Sequence, residues 1–191
     1  MKLTRDYYLN KDVVAVARDL IGKMLVTNLE EGLTAGMITE TEAYAGTHDK
    51  ASHAWGGRRT ERTGVMFGEG GVAYVYLCYG IHSLFNIVTG PEGIPHAILI
   101  RGVRVFKGNV IVNERLGGKL LNSGLVSGPG RITKALGIKV PHTGVDLCAD
   151  QIWLEESFSG NQVFDVKTTP RIGIDYAAED ALLPYRFVMI D

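Results

Sequence analysis

In the stretch MITETEAY, residues 37–44, two glutamates and a tyrosine recur at alternate positions. The β-branched and aromatic residues, with turn signals on either side, read as a strand. Side chains alternate faces along a strand, so Glu40, Glu42 and Tyr44 are expected to share one face with Ile38. Residues two apart on a strand stand roughly 6–7 Å apart. Carboxylates near that spacing can work as a pair on a glycosidic bond, one as acid and the other activating water or attacking. Each would shift the other's pKa, and burial would shift both. The plainer alternative is a solvated strand face, because most glutamates are simply exposed.

Five other stretches carry residue types suited to chemistry. THDKASH holds His48, Asp49 and His53, which are metal-ligand types. A metal needs three or four ligands, however, and His82, His96 and His142 are scattered, so no metal site is expected. A surface or stacking histidine fits as well. GGRRTERTG sets Arg58, Arg59 and Arg62 among glycines and threonines, a composition that suits phosphate contacts and equally a solvated loop. AYVYLCYG puts Tyr74, Tyr76 and Cys78 on one strand face and Tyr79 at the turn before Gly80. An aromatic at an exposed strand–Gly–strand tip makes a wedge between stacked bases, although tyrosines in a strand are more often sheet core. Arg101 in HAILIRGV and Asn86 in LFNIV are polar groups in apolar runs, and each must find partners. A carboxylate, aromatic rings, a buried arginine and amide, and a basic loop together suit a base taken out of a helix and read in a pocket.

The elements that must position these residues follow from patterning. Asn10 is expected to cap a helix running through Val13, Val16, Leu20 and Ile21, with Gly22 as its stop. MLVTN and TAGMITETEAY flank the turn NLEEG as a hairpin. Residues 45–71 form a long loop of the kind that is usually functional. VAYVYLCY and IHSLFNIV flank Gly80, HAILIRGVRVF is a further strand, and part of 107–126 can be helical. Pro129 opens and Gly137 closes a helix in SGPGRITKALGI, and IWLEES, DVKTT and YRFVMI are late strands. Strands dominate without the βαβ alternation of a parallel sheet, so a single α+β domain over residues 1–191, built on a largely antiparallel sheet, is expected. The 191 residues are 46% hydrophobic and 21% charged, which is ordinary for a globular protein. No apolar run approaches the ~18 residues of a membrane span. MKLTRDYYLNKD lacks the apolar core of a secretory signal, and two cysteines make no disulfide framework, so a cytoplasmic or nucleoid-associated protein is expected. A net charge of −1 leaves any phosphate binding to local patches.

These residues resemble the alkyladenine (3-methyladenine) DNA glycosylases. The matching stretches are ITETEAY, the D…SH of THDKASHAWGGRRT, MFGEGGVAYVYLCYGIHSLFNIV, AILIRGV, SGPGRITKALGI and PRIGID…PYRF, in order from Gly36 to Phe187. The resemblance implies one mixed domain with a curved antiparallel sheet flanked by helices. It implies a monofunctional enzyme acting as a monomer on double-stranded DNA. That enzyme inserts Tyr79 through the minor groove and flips a damaged purine into a pocket. Tyr44 and His53 would stack on one side of the base and Tyr76 on the other, while Asn86 would clash with the amino group of normal guanine. Glu42 would activate the water that attacks C1′, and Arg101 would help hold that water and the flipped nucleotide. Arg58, Arg59 and Arg131 would contact the DNA backbone. Substrates would be alkylated purines such as 3-methyladenine, with hypoxanthine and ethenoadenine as further candidates, and no metal or organic cofactor is implied.

Arg131 stands where a lysine is common in the family, Tyr185 where a Trp is frequent, and residues 107–126 match poorly. Two other readings of the same residues stay open at this point. One is a non-catalytic lesion or single-strand binder using the stacking aromatics. The other is a carbohydrate hydrolase using Glu40 and Glu42 as an acid–base pair.

Overall fold

The computed structural model describes residues 1–157 and 164–190. Its strands are β1 Met24–Leu29, β2 Gly32–Tyr44, β3 Ala73–Cys78, β4 His82–Thr89, β5 His96–Lys107, β6 Leu125–Ser127, β7 Ile152–Glu155, β8 Val166–Thr169 and β9 Arg186–Met189. Its α-helices are α1 Arg5–Tyr8, α2 Val13–Asp19, α3 Asn109–Arg115 and α4 Pro129–Leu136. The strands form one curled antiparallel sheet in the order β3–β4–β5–β2–β1–β7, with β6 added to β5 and the β8–β9 hairpin joined to β2. This is the α+β architecture that the patterning predicts.

The hydrophobic core lies on the helical side of the sheet. Alternate residues of β3, β4 and β5 (Ala73 and Val75, Phe85 and Ile87, Ile98 and Ile100) pack there with Val16, Ala17 and Leu20 from the α2 segment and Ile132 and Leu136 of α4. The intervening residues of those strands, Tyr74, Tyr76, Leu84, Asn86, Leu99 and Arg101, face the opposite side and line a cavity. One fully buried layer and one concave polar–aromatic layer thus come from the same period-2 alternation.

Three expectations are corrected. Asn10 does not cap α2; Asp12 does, accepting from Ala15 N at 2.9 Å, and Asn10 accepts from Asp12 N to shape the turn before it. The helix also ends earlier than expected, at Asp19, and Gly22 takes the left-handed conformation at φ 89° two residues after the C-cap Leu20. More important for the site, Ile38 does not share a face with Glu40 and Glu42. The β2–β5 ladder slips between Ile38 and Thr41, so that Thr39–Glu40 on one strand and Arg101–Gly102 on the other lie between core-facing positions. Ile38 therefore belongs to the core with Ala43, while Thr41 faces the same way and donates to Ala17 O at 2.7 Å. The bulge depends on Gly102, because a Cβ there would lie 2.6 Å from Thr39 Oγ1 and 2.9 Å from Glu40 Cβ. Its effect is to turn both glutamates and the tyrosine away from the core without exposing Ile38.

Candidate active site

The concave face of β2–β5 holds a cavity of about 390 Å³, at the small end of the range for ligand pockets. β2 contributes Tyr44, β3 contributes Tyr74, Tyr76 and Cys78, β4 contributes Leu84 and Asn86, and β5 contributes Leu99 and Arg101. His53 and Met66 reach in from the long 45–71 loop, and Ile172, Gly173 and Tyr176 close it from the segment after β8. Tyr79 sits at the rim, at the β3–β4 tip, 92% exposed and with φ 50°, a left-handed backbone that non-glycine residues seldom adopt. Six residues named from the sequence, Tyr44, His53, Tyr76, Tyr79, Asn86 and Arg101, thus line one cavity.

Glu42 lies immediately behind that lining and is wholly buried. Its Oε1 accepts from Ile172 N at 2.8 Å and its Oε2 from the Tyr44 hydroxyl at 2.9 Å. Arg101 Nε stands 3.4 Å from Oε1. Burial raises the Glu42 pKa above the usual carboxylate value, opposed by Arg101 and the two hydrogen bonds, with Glu40 adding a smaller upward push. A carboxylate tuned upward in this way is a better proton acceptor than an exposed one. Glu40 has a different environment. Its Oε1 accepts from Arg101 Nε at 2.9 Å and from Arg186 Nε at 2.7 Å. The two glutamates are therefore not an equivalent acid–base pair.

The aromatic walls differ from the expected sandwich in one respect. His53 and Tyr76 meet edge to face with ring centroids 4.7 Å apart. A base between them would need about 7 Å, two van der Waals layers, so these rings belong to a single wall. Tyr44 lines the same cavity from β2. His53 Nδ1 is 2.8 Å from the Tyr74 hydroxyl, and burial together with Arg62 and Arg58 lowers the His53 pKa to about 4, so the ring is neutral at pH 7. The Asn86 amide donates to Tyr74 O at 3.1 Å, which fixes its orientation on the floor.

The backbone-contact candidates stand apart from the cavity. Arg58 and Arg59 are exposed on the long loop, with the Arg59 guanidinium 5.3 Å from the Phe67 ring centroid. Arg131 is exposed at the start of α4 and donates to Lys119 O at 2.6 Å. Asp49, considered above as a metal ligand, is used otherwise. It is buried in an ion pair with Arg171 and accepts the backbone N–H groups of Ala45 and Ala51. Arg171 is the residue that the sequence reading overlooked. Its guanidinium lies 4.8 Å from the Tyr44 ring centroid and 5.3 Å from that of Tyr185, and it donates to Ala43 O at 2.8 Å. It precedes the Ile172 N–H that meets Glu42. The signal was present in PRIGID, where an arginine sits beside a proline and apolar residues, but without its distant partner Asp49 the arginine has no readable role.

A family model described as methylpurine-DNA glycosylase matches residues 7–191. The chain belongs to the methylpurine-DNA glycosylase family. Members of this family are enzymes that hydrolyse N-glycosyl bonds. Curated relatives agree over the full length. A protein of Chlamydia felis, provisionally named 3-methyladenine DNA glycosylase, is 42% identical over 189 residues, spanning 98% of this chain and 95% of the relative. Proteins of the same provisional name from Methanocella arvoryzae and Bacillus cytotoxicus are 44% and 40% identical, spanning 97% and 98% of this chain and 90% and 95% of each relative. Among the described residues, no helix is long and apolar enough to cross a membrane.

Proposed function

We propose that this protein is a monofunctional DNA glycosylase that excises 3-methyladenine from double-stranded DNA, with hypoxanthine and ethenoadenine as further substrates. It acts as a monomer, and needs no metal or organic cofactor. The observation that carries this reading is the buried Glu42 carboxylate, held by Ile172 N–H and the Tyr44 hydroxyl directly behind an aromatic cavity. Tyr79 enters the helix at the rim and the damaged nucleotide turns into the cavity. Tyr44 stacks on one face of the base, and His53 and Tyr76 form the opposite wall. Glu42 takes a proton from water as its oxygen bonds to C1′, the C1′–N bond breaks, and the bonding pair leaves with the base. 3-Methyladenine is cationic in the nucleoside and leaves as a neutral base, so it requires no second carboxylate as acid, whereas hypoxanthine and ethenoadenine are neutral in the nucleoside and take up a proton from solvent as they leave. The anionic Glu42 also stabilises the positive charge that develops on the sugar. Asn86, fixed by Tyr74 O, meets the amino group of normal guanine unfavourably. Arg58, Arg59 and Arg131 lie on exposed surface from which they can reach phosphates.

Base release from methylated duplex DNA, and from duplexes carrying one hypoxanthine or ethenoadenine, tests this directly. Glu42→Gln is expected to lose at least the ~10²–10⁴-fold that a general base supplies while still binding the lesion duplex. The wild-type rate should fall as pH drops through the raised Glu42 pKa, because the protonated acid cannot accept a proton. Tight lesion binding by the wild type without release would instead make the protein a lesion binder, and an active Glu42→Gln would place the base elsewhere.

A further inference from the structure

Glu40 is left without a task by the reaction above, yet it is one of the most specifically connected carboxylates of the site. It is nearly buried, and a single oxygen, Oε1, accepts both Arg101 Nε at 2.9 Å and Arg186 Nε at 2.7 Å. The same Arg101 Nε is 3.4 Å from Glu42 Oε1, beyond a good charge-assisted hydrogen bond. Two carboxylates thus compete for one N–H, and the geometry awards it to Glu40. The bulge at Gly102 makes this possible, because it brings Glu40 opposite the segment that carries Arg101. Arg186 is held in turn by Thr169 Oγ1 at 3.1 Å, so the anchor is fixed from the β8–β9 hairpin as well.

We propose that Glu40 is a positioning residue that anchors Arg101 away from Glu42, so that Glu42 is not captured in a close ion pair and Arg101 keeps its place in the cavity wall. The proposal rests on Glu42 being the base. The charged and titratable groups that face Glu42 are Glu40 and Tyr44 on its own strand, Arg101 from β5, Arg186 across the β9 ladder, and Arg171 and Tyr176 from the closing segment. Of these, Arg171 is committed to Asp49, and Glu40 holds both Arg101 and Arg186; Arg101, whose Nε already stands 3.4 Å from Glu42 Oε1, is the cation placed to close on Glu42 when Glu40 is lost. Loss of the anchor would therefore turn a tuned base into a salt-bridged carboxylate, whose pKa is lowered by about 1–3 units in typical pairs.

The test is a titration of the Glu42 carboxyl by carbon-13 NMR, assigned with Glu42→Gln, in the full-length wild type, Glu40→Gln and Glu40→Asp, beside the pH dependence of base release from methylated duplex DNA. Glu40→Gln should lower the Glu42 pKa by about 1 unit or more, move the acidic limb of the rate profile by the same amount, and slow release on the plateau about tenfold. Glu40→Asp keeps the charge but shortens the reach, so it should shift Glu42 in the same direction if anchoring matters. An unmoved Glu42 in Glu40→Gln overturns the proposal. So does a shift in Glu40→Gln with wild-type behaviour in Glu40→Asp, which would reduce Glu40 to a through-space charge. If Glu40→Gln does not fold, Glu40→Gln/Arg186→Gln removes the surplus cation and carries the same expectation. If the wild type releases no base at all, the glycosylase reading fails, while the titration still decides whether Glu40 holds Arg101 off Glu42.

Discussion

The Asp49–Arg171 pair should be one of the most costly interactions in the molecule to break from one side. Side-chain exposure is 1% for Asp49 and 0% for Arg171, so neither charge can recover hydration if its partner is lost. Asp49→Asn keeps the shape and one acceptor oxygen. Its amide nitrogen must then face Ala45 N–H and Arg171 Nη1 in one orientation, or Ala51 N–H and Arg171 Nη2 in the other, donors that the carboxylate accepts. A buried charge left unpaired in this way costs about 3–5 kcal/mol. For a urea slope of ~2 kcal/mol/M, the unfolding midpoint should fall by about 1.5–2.5 M. Urea unfolding followed by tryptophan fluorescence reads this directly, with Trp153 buried in the sheet. Asp49→Asn/Arg171→Gln should be less destabilised than the sum of its single variants, because most of the penalty belongs to the orphaned charge. A midpoint shift of Asp49→Asn below ~0.5 M, the scale of a surface pair, would refute the assignment of a buried, geometry-critical ion pair.

Two further outcomes separate stability from function. Tyr79→Gly should leave stability unchanged or raise it by about 1 kcal/mol, because Tyr79 holds φ 50° with 92% of its surface in water; lesion release should nevertheless fall sharply, and a stability loss above 1 kcal/mol would show packing that the structure lacks. Tyr74→Phe tests the tautomer of His53. The Tyr74 hydroxyl is pushed up to about 12 by burial and stays protonated, so it has a proton to donate to Nδ1; the expected arrangement is that donation with the ring proton on Nε2, so nitrogen-15 NMR of the wild type should show an unprotonated Nδ1, the Phe variant should mix the tautomers, and a protonated wild-type Nδ1 would refute the expectation.

Much of the fold was legible because its strands are strongly patterned. The β1–β2 and β3–β4 hairpins and the Pro129–Gly137 helix all carry local signals: apolar alternation, a glycine turn, or a proline at the first helical turn. What was not legible was set by near-equal local choices or by distant partners. The choice of Asp12 over Asn10 as cap depends on which side chain reaches Ala15 N, and both types cap equally well in sequence. The slip between Ile38 and Thr41 has no signal in MITETEAY, because it depends on Gly102 some sixty positions later. Strict alternation therefore assigned Ile38 to the wrong face while keeping Glu40, Glu42 and Tyr44 together correctly. Arg171 was missed for the same reason, since the partner that gives it meaning is 122 residues away in sequence.

Two features of the site work against folding, and they lie at the back and the mouth of the same cavity. Glu42 is a fully buried carboxylate whose pKa is raised by its surroundings, so ionising it costs the native state more than the unfolded chain. Stability contributed at Glu42 is highest while the group is protonated. It declines as pH rises from the ordinary glutamate value through the raised one, because the ionised form is the one that the native surroundings disfavour. Tyr79 places a large aromatic in water on a strained backbone, where glycine or asparagine would serve the turn better. Neither arrangement follows from packing, and the rest of the fold sets rigid partners around them: the Gly102 bulge and Ile172 N–H for Glu42, and the β3–β4 hairpin for Tyr79. Local choices that oppose stability are expected where a structure is committed to a task. That they occur together here, at a proposed base and a proposed wedge, is a physical argument for the site that is independent of family resemblance.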